Sequence, residues 1–278
     1  MSDPARPGRT VLIGAGRMGA ALASGWLRKR GAVDAENLLI VDPGRNETCK
    51  ALVSKYGLKR VPELGPRMAK DVSTVVLAVK PQQFDELGPK LGEILPEDAA
   101  VISVIAGISI RRLKSALGER PIVRAMPNTP AAIGKGITVA VASDAPAAVK
   151  RQAEKLLKVG GPVEWITDER HMGAVTAVSG SGPAYVFFMV EALAGAGFAE
   201  GLPRELAERL ARETVIGAAA LLSESDQSPA ELRRAVTSPG GTTQAALDVL
   251  MTGLPDLMRN AVAAAERQSR RLGGDNGR

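Results

Sequence analysis

Between Thr10 and Ile166 apolar, β-branched runs recur at a spacing that leaves room for one helix between most of them, and beyond Asp168 they stop. The runs are TVLIG (10–14), NLLIVD (37–42), STVVLAVK (73–80), AAVISVIAG (99–107), PIVRAMP (121–127), GITVAVAS (136–143) and PVEWI (162–166). Amphipathic stretches at about 17–30, 45–56, 82–95, 109–117 and 146–159 separate most of them. Strands that are apolar along their whole length, alternating with helices, are those of a parallel sheet covered on both faces. The second part reads as helices only: ERHMGAVTAVS, PAYVFFMVEALAGAGFAEG, PRELAERLARETVIGAAALLSES, PAELRRAVT, TQAALDVLMTG and LPDLMRNAVAAAERQSRRL. Pro183, Pro203 and Pro229 stand near helix starts, where a missing N–H is not felt. The expected architecture is an α/β Rossmann-type parallel-sheet domain over 1–167, then an all-α domain over 168–278, with Asp168 as the N-cap of its first long helix. Aromatic residues are only 3 % of the chain, so these helices are expected to pack through small side chains.

The first strand runs into VLIGAGRMG, in which Gly14, Gly16 and Gly19 form G-x-G-x-x-G, with Ala15, Arg17 and Met18 between them. The first glycine allows the tight turn, the second lets backbone approach a pyrophosphate, and the third lets helix and strand pack closely. The free N–H groups of the helix that follows face the phosphates. An ordinary tight strand-to-helix turn is the alternative use of the same residues. Asp42 ends the second strand, where an acid binds the adenosine ribose hydroxyls of NAD; it could also only cap the next turn. Arg45 follows, and an arginine there can instead meet the 2′-phosphate of NADP. The cofactor is therefore read as NADP(H) or NAD(H). Ala78, Val79, Lys80 and Pro81 end another strand, and Asn128 lies in a proline-flanked loop ending a further one. Ligands of such sheets bind beyond the carboxyl ends of the strands, so these residues are cofactor candidates; a surface lysine and a plain turn are the alternatives.

Other chemistries find little material. Formal net charge is +6, but basic residues are dispersed among acids, so no nucleic-acid partner is expected, and a mild positive field suits small anions equally well. Cys49 is the single cysteine, which rules out an intrachain disulfide or a cysteine metal cluster and fits a reducing, cytoplasmic compartment. No uninterrupted apolar run of membrane-spanning length and no signal-peptide pattern is present, so no membrane association is expected. His171, the one histidine, has no acid or metal partner at a telling spacing and reads as structural. No metal site is expected.

Two loops in the helical half remain. In SPGGTT (238–243), Gly240 and Gly241 leave backbone amides uncrowded, and Thr242 and Thr243 open a helix. Such a terminus can hold a small carboxylate while a threonine hydroxyl meets a neighbouring ring nitrogen; a simple N-cap is the alternative. SGSGPAY (179–185) is similarly small, and allows either a close ligand or close helix packing.

Taken in order, IGAGRMG, AVKP, RAMPNTP, SGSGPAY and PAELRRAVTSPGGTTQAAL resemble pyrroline-5-carboxylate reductases over nearly the whole chain. The last stretch is the most specific, while the first is shared with many dehydrogenases. The resemblance implies reduction of the cyclic imine 1-pyrroline-5-carboxylate to L-proline by NADPH or NADH. It implies an N-terminal cofactor domain and a helical domain that interlocks with its partner in a homodimer, some members building larger rings. It places the active site at the dimer interface, so that SPGGTT faces a cofactor bound by another subunit. Carried over, the backbone at Gly241, Thr242 and Thr243 holds the substrate carboxylate, Thr243 hydrogen-bonds the ring nitrogen and is the catalytic candidate, and Ser238 lines the pocket. Asp226 matches a position where some members carry a ligand-contacting acid. One departure stands out: many members favour NADPH and lack an acid at the position of Asp42. Two other readings remain open. One is a different two-domain reductase, acting on other imines or on β-hydroxyacids; the absence of lysine from Glu169 to Gly201 argues against the hydroxyacid enzymes. The other is a dinucleotide-binding regulator without turnover.

Overall fold

The computed structural model describes residues 8–28, 32–44 and 46–273. Its first part runs β1 (Arg9–Ile13), α1 (Arg17–Arg28), β2 (Leu38–Val41), α2 (Glu47–Tyr56), β3 (Lys59–Val61), α3 (Pro66–Ala69), β4 (Val72–Leu77), α4 (Pro81–Ile94), β5 (Ala100–Ser103), α5 (Ile110–Leu117), β6 (Ile122–Pro127), β7 (Thr138–Ser143), α6 (Ala147–Leu157) and β8 (Val163–Trp165). The strands form one sheet in the order β3-β2-β1-β4-β5-β6-β7-β8. The order reverses between β1 and β4, which opens a crevice beyond their carboxyl ends.

Side chains leave successive strand positions toward opposite layers, as the pleat requires. Val11 and Ile13 of β1 join one core with Phe84 of α4 and Leu113 of α5. Leu12 joins the other with Leu22 and Trp26 of α1 and Leu156 of α6. Trp26 Nε1 donates to the Leu156 carbonyl at 2.7 Å, so the one polar atom of that buried indole is satisfied. The helix ends are closed by side chains. Asn46 Oδ1 accepts from Cys49 N at 2.7 Å, Gly57 terminates α2 with φ +61°, and the buried Arg120 donates to the backbone carbonyls of Gly92, Leu95 and Pro96 at the end of α4.

The sheet departs from expectation in two places. β7 runs antiparallel to β6, Ile122 opposite Ser143 and Pro127 opposite Thr138, while every other pair is parallel. Only residues 128–137 connect β6 to β7, shorter than the crossover a parallel return needs. β3, Lys-Arg-Val, was not expected at all; it pairs with β2 at the sheet edge through its backbone, with no apolar run to mark it.

The helical part comprises a 3₁₀ turn at Glu169–His171, α7 (Met172–Val175), a π-helical turn at Thr176–Gly180, α8 (Gly182–Ala199), α9 (Arg204–Glu224), α10 (Pro229–Ala235) and α11 (Thr242–Leu272). Asp168 caps the first turn, its Oδ1 accepting from Arg170 N at 2.9 Å. The expected break between Gly253 and Leu254 does not occur: α11 is one helix of 31 residues with Pro255 inside it. A proline forfeits one backbone hydrogen bond, and here a long helix on both sides outweighs that loss.

The chain forms two compact units, Met1–Gly180 with Ala265–Arg278, and Ser181–Ala264. The final turns of α11 belong to the first unit. There Leu272 and Gly273 lie against Gly107, and Glu266 lies against Gly173.

Candidate functional site

The glycine loop separates its three roles by geometry. Gly14 has φ +91°, its N–H donates to the Val41 carbonyl at 2.9 Å, and a Cβ there would stand 2.7 Å from the Ala78 carbonyl oxygen. Any larger residue would be strained and would collide with the end of β4. A Cβ on Gly19 would stand 2.0 Å from the Gly14 carbonyl oxygen, so the first turn of α1 can rest on the loop only if residue 19 has no side chain. A Cβ on Gly16 would meet nothing within 4 Å. Gly16 is thus not needed for internal packing; it faces open space at the start of α1, where a pyrophosphate can approach backbone and helix N-terminus together. Ala15 is buried, Arg17 is exposed and Met18 is half-buried.

Asp42, 7 % exposed, stands at the end of β2. Its Oδ2 accepts from Ala15 N at 2.8 Å and its Oδ1 from Gly44 N at 2.7 Å, so the carboxylate ties the glycine loop to the turn after β2. The Cys49 thiol beneath it is pushed up from its ordinary pKa by burial, then by the charge and hydrogen bond of Asp42. Arg45 lies outside the described residues. Sequence reasoning missed Arg60 on β3. Its Nη1 donates to the Asp42 carbonyl oxygen at 2.9 Å, which puts a guanidinium at the end of β2. The signal was available as a basic pair shortly after the acid, in a strand too polar to be recognised.

Ala78 N donates to the Ile13 carbonyl at 2.8 Å, placing the AVKP segment beside the glycine loop, with Val79 half-buried against Gly14. Lys80 is exposed and precedes α4, whose Pro81 opens the helix. The Gln83 side chain accepts from Lys80 N at 3.0 Å, closing the first turn of α4. Asn128 Oδ1 accepts from Ile137 N at 2.9 Å and closes its own loop, so that oxygen has a structural task. A second unforeseen pair joins β6 to the start of the helical part: Arg124 Nη1 and Glu169 Oε1 are 2.7 Å apart, and the same oxygen accepts from Ile110 N at 2.7 Å. His171 is exposed.

In the second unit SPGGTT forms a tight turn into α11. Gly240 has φ +70°, and its N–H donates to Gln244 Oε1 at 2.7 Å; Gly241 N donates to the Ser238 carbonyl at 3.1 Å. These two amides are satisfied within the loop. Ala245 N reaches back to the Gly241 carbonyl at 3.2 Å, leaving the N–H groups of Thr242, Thr243 and Gln244 without a backbone acceptor in the first turn of α11. A Cβ on Gly241 would stand 2.7 Å from Ser238 Oγ, so the glycine keeps that hydroxyl close over the helix start. Ser238 and Thr242 are exposed and Thr243 is half-buried. Asp226 is exposed in the connection between α9 and α10, and SGSG forms the turn into α8.

A glycine-loop nucleotide end on a doubly wound sheet, followed by helices that carry an anion-type turn, defines a nicotinamide-dependent oxidoreductase of two-part construction. Comparison with known proteins narrows the class. Residues 169–272 match the model for pyrroline-5-carboxylate reductase dimerisation, and residues 9–107 match NADP oxidoreductase coenzyme F420-dependent. A pyrroline-5-carboxylate reductase of Pseudomonas aeruginosa is 41 % identical over 275 residues, covering 98 % of both chains. Among solved structures, that of a Coxiella burnetii pyrroline-5-carboxylate reductase has a TM-score of 0.87 at 34 % identity, over 96 % of this chain and 99 % of that one. A Plasmodium falciparum pyrroline carboxylate reductase with NADP bound has a TM-score of 0.79 at 31 % identity, over 96 % and 98 %. The chain belongs to the pyrroline-5-carboxylate reductase family. It is an NAD(P)H-dependent oxidoreductase with an oligomerisation domain. The helical run Glu169–Ala199 is long and apolar enough to span a membrane by length and composition, and it falls inside the dimerisation match.

Proposed function

We propose that the chain reduces 1-pyrroline-5-carboxylate to L-proline, the last step of proline biosynthesis, as a homodimer in the cytoplasm. The observation that carries the substrate reading is the turn at 238–243. Its glycines are held by internal hydrogen bonds, while the following amides of Thr242 and Thr243 stay without a backbone acceptor at the positive end of a 31-residue helix. Those amides bind the substrate carboxylate, Gly240 and Gly241 shape the turn, and Ser238 Oγ lies beside it. The Thr243 hydroxyl meets the ring nitrogen and orients the imine, and Asp226 is assigned a peripheral contact. Residues 1–167 form the cofactor domain and residues 168–278 the dimerisation and substrate domain.

The residues at the nucleotide end fit a dinucleotide. Gly16 faces open space, α1 presents its N-terminus, and Ala78, Val79, Lys80, Pro81 and Asn128 stand at neighbouring strand ends. The nicotinamide supplies the hydride when bound. The chain's own residues supply orientation: a protonated imine is already electrophilic, and holding it in line is worth orders of magnitude without a strong acid. This accounts for a site in which His171 takes no part.

The test is oxidation of NADPH and NADH followed at 340 nm with racemic pyrroline-5-carboxylate, proline being identified as product. Thr243→Ala is expected to lower kcat by about a hundredfold, the loss of an orienting contact, while the Kd for cofactor is unchanged. Equal loss of cofactor affinity would remove Thr243 from the substrate site.

A further inference from the structure

The acid at the end of β2 would ordinarily favour NADH, since a carboxylate there accepts from the ribose hydroxyls and repels a 2′-phosphate. In this chain both carboxylate oxygens of Asp42 already accept backbone N–H groups, from Ala15 at 2.8 Å and Gly44 at 2.7 Å, and the side chain is 7 % exposed. Its charge is turned into the loop. The group that faces outward at the same strand end is Arg60. β3 pairs with β2 so that Arg60 lies opposite Ile40, and Nη1 reaches over to the Asp42 carbonyl at 2.9 Å. That bond uses one of five N–H donors. The guanidinium is exposed, and no carboxylate pairs with it among the described residues. Gly44, with φ +70°, makes room for it: a Cβ at residue 44 would stand 2.6 Å from Arg60 Cζ. An anchored, unpaired arginine beside the adenosine-ribose end of a glycine-loop site has the geometry that recognises a phosphate monoester, because its fork can donate two parallel hydrogen bonds.

We infer that Arg60 is the specificity residue for the cofactor's 2′-phosphate, so that the chain accepts NADPH despite carrying Asp42. This rests on the nucleotide end of the reading above and not on the identity of the imine.

The decisive experiment compares Arg60→Ala and Arg60→Lys with the parent chain by calorimetric titration of NADP+, NAD+ and 2′,5′-ADP, together with KM for NADPH and NADH. Arg60→Ala is expected to weaken NADP+ and 2′,5′-ADP about tenfold or more, the loss of a charge-assisted pair of bonds, and to leave NAD+ and kcat with NADH within about twofold. Arg60→Lys, which keeps the charge but not the fork, should fall between. Equal weakening of NADP+ and NAD+ would overturn the inference, because it would show that Arg60 serves only to hold the Asp42 turn. Unchanged NADP+ affinity would overturn it too, as would a parallel Arg45→Ala variant carrying the whole NADP+ effect. Titration requires no turnover, so a failed substrate assignment and a failed role for Arg60 give different results.

Discussion

The two units of this chain solve the burial problem differently. The sheet unit closes its own core on both faces: β1, β4 and β5 are buried along most of their length, and α1, α4, α5 and α6 cover them. Between Ser181 and Ala264 the buried apolar residues are Ala207 and Ala211 alone. α8 has no buried residue, and it exposes Phe187 at 62 % and Phe188 at 69 %; on α11, Val249 and Leu257 stand equally open. A helix apolar all round is a core helix, and a single copy of this unit has no core to offer it. The lesson is that one sequence can carry a domain that closes its own core and another that leaves its apolar faces open within a single copy, and the second is expected to draw its stability from assembly.

The sharpest way to break this comparison is a charge on the open face. Phe188→Glu is expected to abolish assembly and lower turnover at least about a hundredfold, since an unpaired carboxylate in a closed apolar interface costs several kcal/mol. NADP+ binding by the sheet unit should persist. Light scattering on the eluting protein and cofactor titration check both halves, and retained assembly would show that α8 is not the interface. Next in size, Phe84→Ala in the closed core is expected to cost about 3–5 kcal/mol, independently of protein concentration. Phe187→Ala should instead shift the midpoint by an amount that grows on dilution. Urea unfolding over a hundredfold range of concentration separates the two, and identical behaviour would erase the distinction. Smaller again is Gly16→Ala. The position is open, so the melting temperature should hold, while the added methyl stands where the pyrophosphate approaches and cofactor affinity falls about tenfold. A loss of stability without a loss of affinity would assign Gly16 to folding instead.

Legibility follows the same division. The apolar runs of β1, β2 and β4 to β6 announce themselves because each is buried on both faces, and the glycine loop because steric demand leaves no substitute at Gly14 and Gly19. β3 escaped notice because an edge strand held by backbone pairing needs no apolar residues, and Lys59 and Arg60 are exposed. Missing β3 also hid Arg60, so the choice between NAD and NADP rested on Asp42 and Arg45 alone. The reversal of β7 was legible in principle from the ten-residue connection, but its alternation matches that of a parallel strand. In the helical unit the hydrophobic pattern marked helices well and their ends less well: α11 continues through Pro255. What an all-apolar helix packs against cannot be read from its own residues, and here the family resemblance supplied the partner. Likewise, SPGGTT was recognisable as an anion-type turn, but which amides it leaves open depends on Gln244 reaching back to Gly240, a contact that spacing alone does not reveal.

The smallest expected effect lies where the helical part of the chain begins, still inside the first unit. Asp168 caps the turn at Glu169–His171, and hydrogen bonds from the Arg170 guanidinium, then from Arg170 N, hold its carboxyl at about 2 against an ordinary 3.8. A depressed acid pKa means that the ionised form is preferred in the folded state. The resulting stability is therefore fully present above about pH 4 and fades as pH falls from there toward 2. The pair is exposed, so salt should screen much of it. Asp168→Asn keeps a competent cap and removes the charge. The parent chain should be slightly more stable than the variant from pH 5 to 8, the gap narrowing between pH 4 and 3 and shrinking at 1 M salt. Urea midpoints of both proteins at pH 6, 4 and 3, taken at one concentration, test this. A gap that stays constant with pH would show that the shape of the cap matters and its charge does not. A gap that changes with dilution would mean that the turn at Glu169 depends on assembly, which would move the border between the self-sufficient and the assembly-dependent region toward the N-terminus.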